Sequence, residues 1–460
     1  MKKPKIGFIV YGVHKDGLKD PLGRPFIDNQ LVQAARQSLC RENLELVEHD
    51  IVIASKAEAR ACFAKFKKMD DLDAVVLFSG TWVWAAHLIG PIRDFAGTGK
   101  GIILWTHPGS QGWRPVGGLV LHGALKEVDI PHKYVYGGHD EPKEVARITA
   151  CCRASMEKNR LNLSTVGAFG GRGMGQTCGA ADPSQWMRVF GIDIDSRDTT
   201  DLLTAAQSVT PQELSEARQR IQPLFSQPIP QGDVADRSIR LYLALKKIVA
   251  AEQWEFYTIQ SFPGLGDHYS ATCFAQSLML NDGMGTSTLG DFNTAMTVKL
   301  LTDLSPEPVY YGDLQHLNKG NGEIKIIGDG ACPPALAGKL GPASFAEHGI
   351  PTEGEAGGIS VDLLCKPGEG VLARLGRTNG SFEMVLTRCS IVEPPVEKLP
   401  SRRLECGIPF WPHAFVTAHC DMDQLVEAWN NEYACLGYGA HLYDELAAFC
   451  ELTNIKVVAL

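Results

Sequence analysis

The sequence predicts an α/β protein: two doubly wound, Rossmann-like α/β domains followed by a β-rich, antiparallel barrel-like C-terminal domain. Three observations carry this. Residues 74–78 (AVVLF) and 101–105 (GIILW) are continuous apolar runs, as in strands buried on both faces of a parallel sheet. Helix-length segments alternate with such runs, as parallel crossovers require. After about residue 305 the helical signals fade, and short alternating runs separated by turn residues take over.

In chain order, residues 5–11 predict a first strand, 29–40 a helix, 45–54 a strand and 56–68 an Ala- and Lys-rich helix. Strand 74–78 leads into Ser79-Gly80-Thr81-Trp82, and strand 101–105 into Thr106-His107-Pro108-Gly109. Loops at the carboxyl ends of parallel strands are where doubly wound domains hold ligands. A helix over 141–158, with Pro142 in its first turn, closes the first domain. Strand 165–169 then meets a glycine cluster, GGRGMGQ, at residues 170–176. Its spacing is not G-x-G-x-x-G, and no acidic residue follows at the distance a dinucleotide site needs. A tight turn near a ligand or a neighbouring subunit is the better reading. Residues 190–194 and 255–261 predict strands, with helices over 211–224 and 233–252 between them. A helix over 271–280 ends at Asn281-Asp282-Gly283; a Gly/Thr/Ser loop follows, and Asp291 opens the next helical run. In the last third, residues 309–311, 324–327, 358–364, 371–376, 381–386, 414–418 and 456–460 predict strands, and 423–432 and 442–451 helices. Asn379-Gly380 is a hairpin signal. The implied domains are 1–162, 163–305 and 306–460.

Composition narrows the function classes. The chain has 460 residues, of which 44% are hydrophobic and 21% charged, with a net charge of -9. That balance argues against nucleic acid or an anionic membrane as partner, and no apolar run is long enough to span a bilayer. The opening MKKPKIGFIVYG reads as a first strand rather than a leader. Thirteen cysteines without C-x-x-C spacing predict reduced thiols and a cytoplasmic location.

The chemistry concentrates between residues 263 and 334, where three Gly-Asp pairs occur: Gly290-Asp291, Gly312-Asp313 and Gly328-Asp329. The last two follow β-rich runs. Carboxylates on glycine-bearing loops after strands are placed as enzymes place metal ligands and acid–base groups, although Gly-Asp is also plain turn chemistry.

Ten segments, in order, resemble the L-fucose isomerase and L-arabinose isomerase superfamily of metal-dependent aldose–ketose isomerases. Among them are LFSGTWVWAAHLIGPIRDF, IILWTHPG, VGAFGGRGMGQ, LNDGMGTSTLGDFNTAMT, YYGDL, GDGACPP, TEGEAGGISVDLLCKPGEGVLARLG and PHAFVTA. The resemblance covers essentially the whole chain. It implies one divalent ion, Mn2+ or a similar cation, that holds two adjacent sugar oxygens. A carboxylate then moves a proton between C1 and C2 through an enediol. Carried over by position, Asp313 and His413 are metal ligands. The chain departs from the family where Glu should precede Gly290-Asp291: it has Leu289, and a leucine can neither bind metal nor move a proton. Asp329 is then an expected replacement ligand. Asp291, Asp313 and Asp329 are the acid–base candidates, though Asp291 could equally cap the helix after it. His14, Trp82, His107, His122, Gln176 and Glu355 are expected on the substrate side, and a homo-oligomer with sites at subunit interfaces is implied. Leu289 leaves two alternatives open: a non-catalytic sugar-binding paralogue, or a related enediolate reaction such as epimerisation or carbon–carbon cleavage.

Overall fold

The computed structural model describes residues 2–13, 26–109, 111–328, 331–347, 356–405 and 411–460. They form two compact units, one comprising residues 1–160 and 447–453, the other 161–446 and 454–460.

The first unit is built on a parallel five-stranded sheet: β1 (Lys5–Tyr11), β2 (Glu45–Glu48), β3 (Ala74–Ser79), β4 (Gly101–Thr106) and β5 (Lys133–Tyr136), in the order β2-β1-β3-β4-β5. β3 and β4 are buried along their whole length, as their unbroken hydrophobicity requires. One face carries Ile9, Val75, Leu77, Ile102 and Leu104 into a core shared with Phe63, Phe66 and Phe95 from the covering helices. The helix Lys56–Lys67 starts at a capping box, in which Ser55 and Glu58 satisfy each other's backbone N–H groups. The strand expected over residues 45–54 is shorter. It stops at Glu48, and Ile53 alone rejoins the sheet through a bridge to Tyr11.

The second unit holds two sheets. The first contains β6 (Thr165–Phe169), β7 (Asp193–Arg197), β8 (Phe256–Ile259) and β9 (Gly285–Ser287), all parallel, in the order β7-β6-β8-β9. Residues 190–194 were expected as a strand. Instead Asp182 and Pro183 start a helix, Pro183–Phe190, that ends at Gly191 in the left-handed region, so β7 begins only at Asp193. β9 lies where the sequence predicts a loop. Its Thr286 and Ser287 join a buried network with Tyr257, Thr258 and Gln276.

The second sheet is a closed barrel. Its strands are β10 (Tyr310–Asn318), β11 (Glu323–Ile327), β14 (Gly368–Thr378), β15 (Ser381–Val392), β16 (His413–Ala418) and β17 (Tyr433–Tyr438). They run antiparallel in the order β14-β17-β10-β11-β16-β15, and β14 pairs with β15 to close the ring. Between β11 and β14, β12 (Ser344–Glu347) and β13 (Ile359–Asp362) form a separate two-stranded ribbon. The last strand, β18 (Lys456–Ala459), adds to β15 in parallel. Asn379 and Gly380 both have positive φ, the primed turn expected of Asn-Gly, and Thr378 pairs with Ser381 across it. Ile324, Ile326, Leu372, Ile391, Ala414, Val416, Ala434 and Leu436, from five of the strands, alternate into one core and fill the barrel. The opposite face of β17 packs on the helix Phe292–Leu304, with Cys435 and Gly437 against Thr294 and Leu301.

Among the described residues, no helix is long and apolar enough to cross a membrane. The described cysteines are unpaired by disulfides, and most are buried.

Candidate active site

Asp313 and His413 lie a hundred residues apart in sequence and on one rung of the barrel. Asp313 pairs with Ile327 of β11, and Ile327 pairs with His413 of β16. Directly opposed residues in a sheet project to the same face, so both side chains leave the same side, flanking Ile327. Tyr433 of β17 pairs with Asp313 on its other side and extends the rung. The rung lies on the barrel face opposite the filled interior, the face on which Cys435 meets the helix Phe292–Leu304. Gly312 is needed here for close approach: a Cβ on it would stand 2.7 Å from the backbone of Ile327 and Gly328. The Gly312-Asp313 pair was expected on a loop after a strand. It lies within β10, where strand pairing, not a turn, orients the carboxylate.

His413 is fully buried. Its Nδ1 bonds the Trp411 carbonyl, which makes Nδ1 the protonated nitrogen and leaves a lone pair on Nε2. That Nε2 is buried and makes no hydrogen bond of ordinary geometry among the described residues, with the Arg403 backbone as its polar neighbour. Burial, together with the Arg403 and Lys325 cations, pushes the imidazole pKa down to about 3, so the ring is neutral at ordinary pH. A neutral imidazole with an orphaned, buried nitrogen and a backbone carbonyl on its other nitrogen is the state in which histidine binds a metal. With the half-buried Asp313 carboxylate on the same rung, the donor set suits a divalent cation that accepts oxygen and imidazole nitrogen.

The Leu289 corner is held against the same region. Thr288 and Tyr433 share a hydroxyl–hydroxyl hydrogen bond of 3.0 Å. Leu289 itself is in the left-handed region, with φ 60, and its carbonyl accepts from Gly173 N–H at 2.8 Å. The glycine cluster of residues 170–175 packs on this corner: a Cβ at Gly173 would be 2.8 Å from the Leu289 Cα, and one at Gly290 2.4 Å from the Gly171 carbonyl.

Asp291 takes the capping position. Its carboxylate accepts from Thr294 N–H at 2.9 Å and Thr294 Oγ1 at 2.8 Å, from Arg374 Nη2 at 2.8 Å and from Asn431 Nδ2 at 3.2 Å. Asp291 and Arg374 are both fully buried. A carboxylate so fully engaged anchors the helix to the barrel.

Gln176 comes to this neighbourhood from the glycine loop, and its side-chain amide donates to the Glu432 carboxylate. Glu432 escaped the sequence reading, which placed it in a helix over 423–432; that helix ends at Ala428. Its backbone carbonyl accepts from Leu314 N–H at 3.0 Å, next to Asp313. Burial and the nearby Asp291 charge raise its carboxyl pKa above the usual carboxylate range. The signal in the sequence was Asn430-Asn431, residues that favour ending a helix, directly before Glu432.

The other expected site residues in the described chain lie in the first unit. Trp82 follows β3, and its ring meets Trp113 edge to face at 6.0 Å. His107 follows β4, beside His139. His122 is on the helix Arg114–Glu127, with Nδ1 2.8 Å from His132 Nε2 and its ring stacked on Tyr134. His14, Asp329 and Glu355 lie outside the described residues.

No protein-family model matches the chain. It is similar to a sugar isomerase. The relative is the sulfoquinovose isomerase of Clostridium sp. (strain MSTE9), 25% identical over 342 residues, which are 70% of each chain.

Proposed function

We propose that this protein is an aldose–ketose isomerase of the fucose and arabinose isomerase type, acting on a monosaccharide or derivative with a manganese-class divalent ion. The similarity to sulfoquinovose isomerase supports the reaction class and makes sulfoquinovose the first substrate to try. The observation that carries the site is the orphaned, buried Nε2 of His413 on one rung with Asp313.

In this reading Asp313 and His413 Nε2 hold the ion, with Asp329 as a further donor. When bound, the ion polarises two neighbouring sugar oxygens and makes the C2 proton acidic. Glu432 supplies the proton transfer that Leu289 cannot. Its carboxylate takes the proton from C2 and returns it to C1, while a second proton passes from O2 to O1. A carboxyl group whose pKa is raised by burial holds a proton more readily than an ordinary carboxylate, as a group that both takes and returns one must. Gln176 holds it in place through the amide hydrogen bond. A homo-oligomer fits the helix Arg114–Glu127, which exposes Val116, Leu119 and Val120.

The test is isomerase activity on sulfoquinovose, fucose and arabinose with manganese present, beside Asp313→Ala and Glu432→Gln. Glu432→Gln should lower kcat by roughly 10²–10⁴ with bound metal unchanged. An Asp313→Ala variant that retains both metal and activity would sink the site. Leu289 favours a second reading, a sugar-binding paralogue without turnover. Sugar binding seen by calorimetry with no product from any of the three substrates would select it.

A further inference from the structure

The first unit carries a second group of potential ligands. Among the described residues, the groups of three or more His, Cys, Asp or Glu side chains whose donor atoms approach closely come down to His107, His139 and Asp140, with those atoms within 4.8 Å of one another. All three lie at the carboxyl edge of the parallel sheet, His107 just after β4 and His139-Asp140 just after β5. That edge is where doubly wound sheets bind their ligands.

His107 Nδ1 is 2.7 Å from the Pro108 carbonyl, which fixes the proton there and turns the Nε2 lone pair toward His139 Nδ1, 3.3 Å away. That separation is long for a hydrogen bond between two nitrogens. It matches the ~3.3 Å between two imidazole nitrogens bound tetrahedrally to one ion at about 2.0 Å. Gly138 leaves the space open: a Cβ there would stand 2.3 Å from Asp140 Oδ1 and 3.4 Å from His107 Nε2. Glu141 accepts the Gly138 N–H at 2.8 Å and fixes the turn. The Arg114 guanidinium, 3.5 Å from the Pro108 carbonyl, opposes a further positive charge, and the Asp140 and Glu141 carboxylates favour one.

We propose that His107, His139 and Asp140 form a binding site for one divalent transition-metal ion of the zinc or cobalt class. Two imidazoles and one carboxylate suit such an ion. Three protein donors, of which Asp140 is exposed, leave a coordination position open to water or a small ligand. This site does not rest on the isomerase reading, and it gives His107, which that reading expects on the substrate side, a different role.

The experiment loads the full chain with cobalt(II) and reads both the visible ligand-field spectrum and the metal content by elemental mass spectrometry. The variants are His139→Ala, Asp140→Asn, Gly138→Ala and His413→Ala, each checked for folding by circular dichroism. His139→Ala and Asp140→Asn should each lose one cobalt per chain and its spectrum. Gly138→Ala keeps all three donors but places a methyl among them, and should weaken binding at least tenfold. His413→Ala should leave this spectrum intact; if it removes the only bound cobalt, the site is overturned. A cobalt content and spectrum unchanged by His139→Ala and Asp140→Asn would also overturn it.

Discussion

Gly290-Asp291 and Gly312-Asp313 are the same dipeptide in the same unit, and they lead opposite physical lives. Asp291 is fully buried, accepts four hydrogen bonds and neutralises a buried arginine. Asp313 is half exposed on a strand, with the Gln315 amide 3.4 Å from its carboxylate, on one rung with a histidine whose Nε2 makes no hydrogen bond of ordinary geometry among the described residues. A carboxylate that is fully satisfied stabilises the fold. One held half exposed by strand pairing, beside a buried neutral imidazole, lies where a ligand can reach it. The dipeptide is identical; what surrounds it decides its use.

The largest expected effect tests the buried member. Asp291→Ala leaves the Arg374 guanidinium buried without its counter-charge and should cost about 3–5 kcal/mol in chemical denaturation. Asp313→Ala should cost less than about 1 kcal/mol yet, on the proposed metal reading, abolish manganese binding. Equal losses of stability in the two variants would erase the contrast.

His413 gives a pH-dependent counterpart. Its pKa in the folded protein lies near 3, against about 6.5 unfolded, so the unfolded chain binds the extra proton first. The associated stability is present above about pH 6.5 and is lost as pH falls toward 3, by on the order of 4 kcal/mol. His413→Gln should flatten this acid limb in denaturation curves recorded between pH 7 and 4. An unchanged slope would mean that the ring is charged in the folded protein.

The smallest effect sharpens the Leu289 corner. Leu289→Glu keeps a side chain of similar size at the same positive φ, so stability should change by less than about 1 kcal/mol. Manganese affinity, measured by calorimetry, should rise by about tenfold if the corner faces the Asp313 rung. No gain would separate the two.

Much of the architecture was legible because its signals are local. Continuous apolar runs gave β3 and β4, and Asn379-Gly380 gave the β14–β15 hairpin. β17 (YACLGY) was missed for a physical reason. It is buried on both faces, by the barrel interior and by the helix Phe292–Leu304, so it shows no alternation. β9 was hidden because Gly285, Thr286 and Ser287 read as loop residues, and their strand is made by a buried polar network rather than by hydrophobicity. At the candidate site, the sequence singles out Asp313 and His413 one by one. Their shared rung was not, because register is set by pairing across a hundred residues. Glu432 stayed invisible while β17 did.

The order in which the barrel closes has a consequence during synthesis. β10 needs β17 and β11 needs β16, so β11 lacks its second partner until residue 418 has left the ribosome, and β10 until residue 438 has. At ~5–20 residues per second, the interval from β10 to β17 lasts on the order of ten seconds. Until β16 emerges, β10 and β11 form a bare hairpin with an open edge on each side, and the β10 edge stays open until β17 follows, a template for any other extended chain. The finished barrel, closed by the β14–β15 pairing, buries both of those edges.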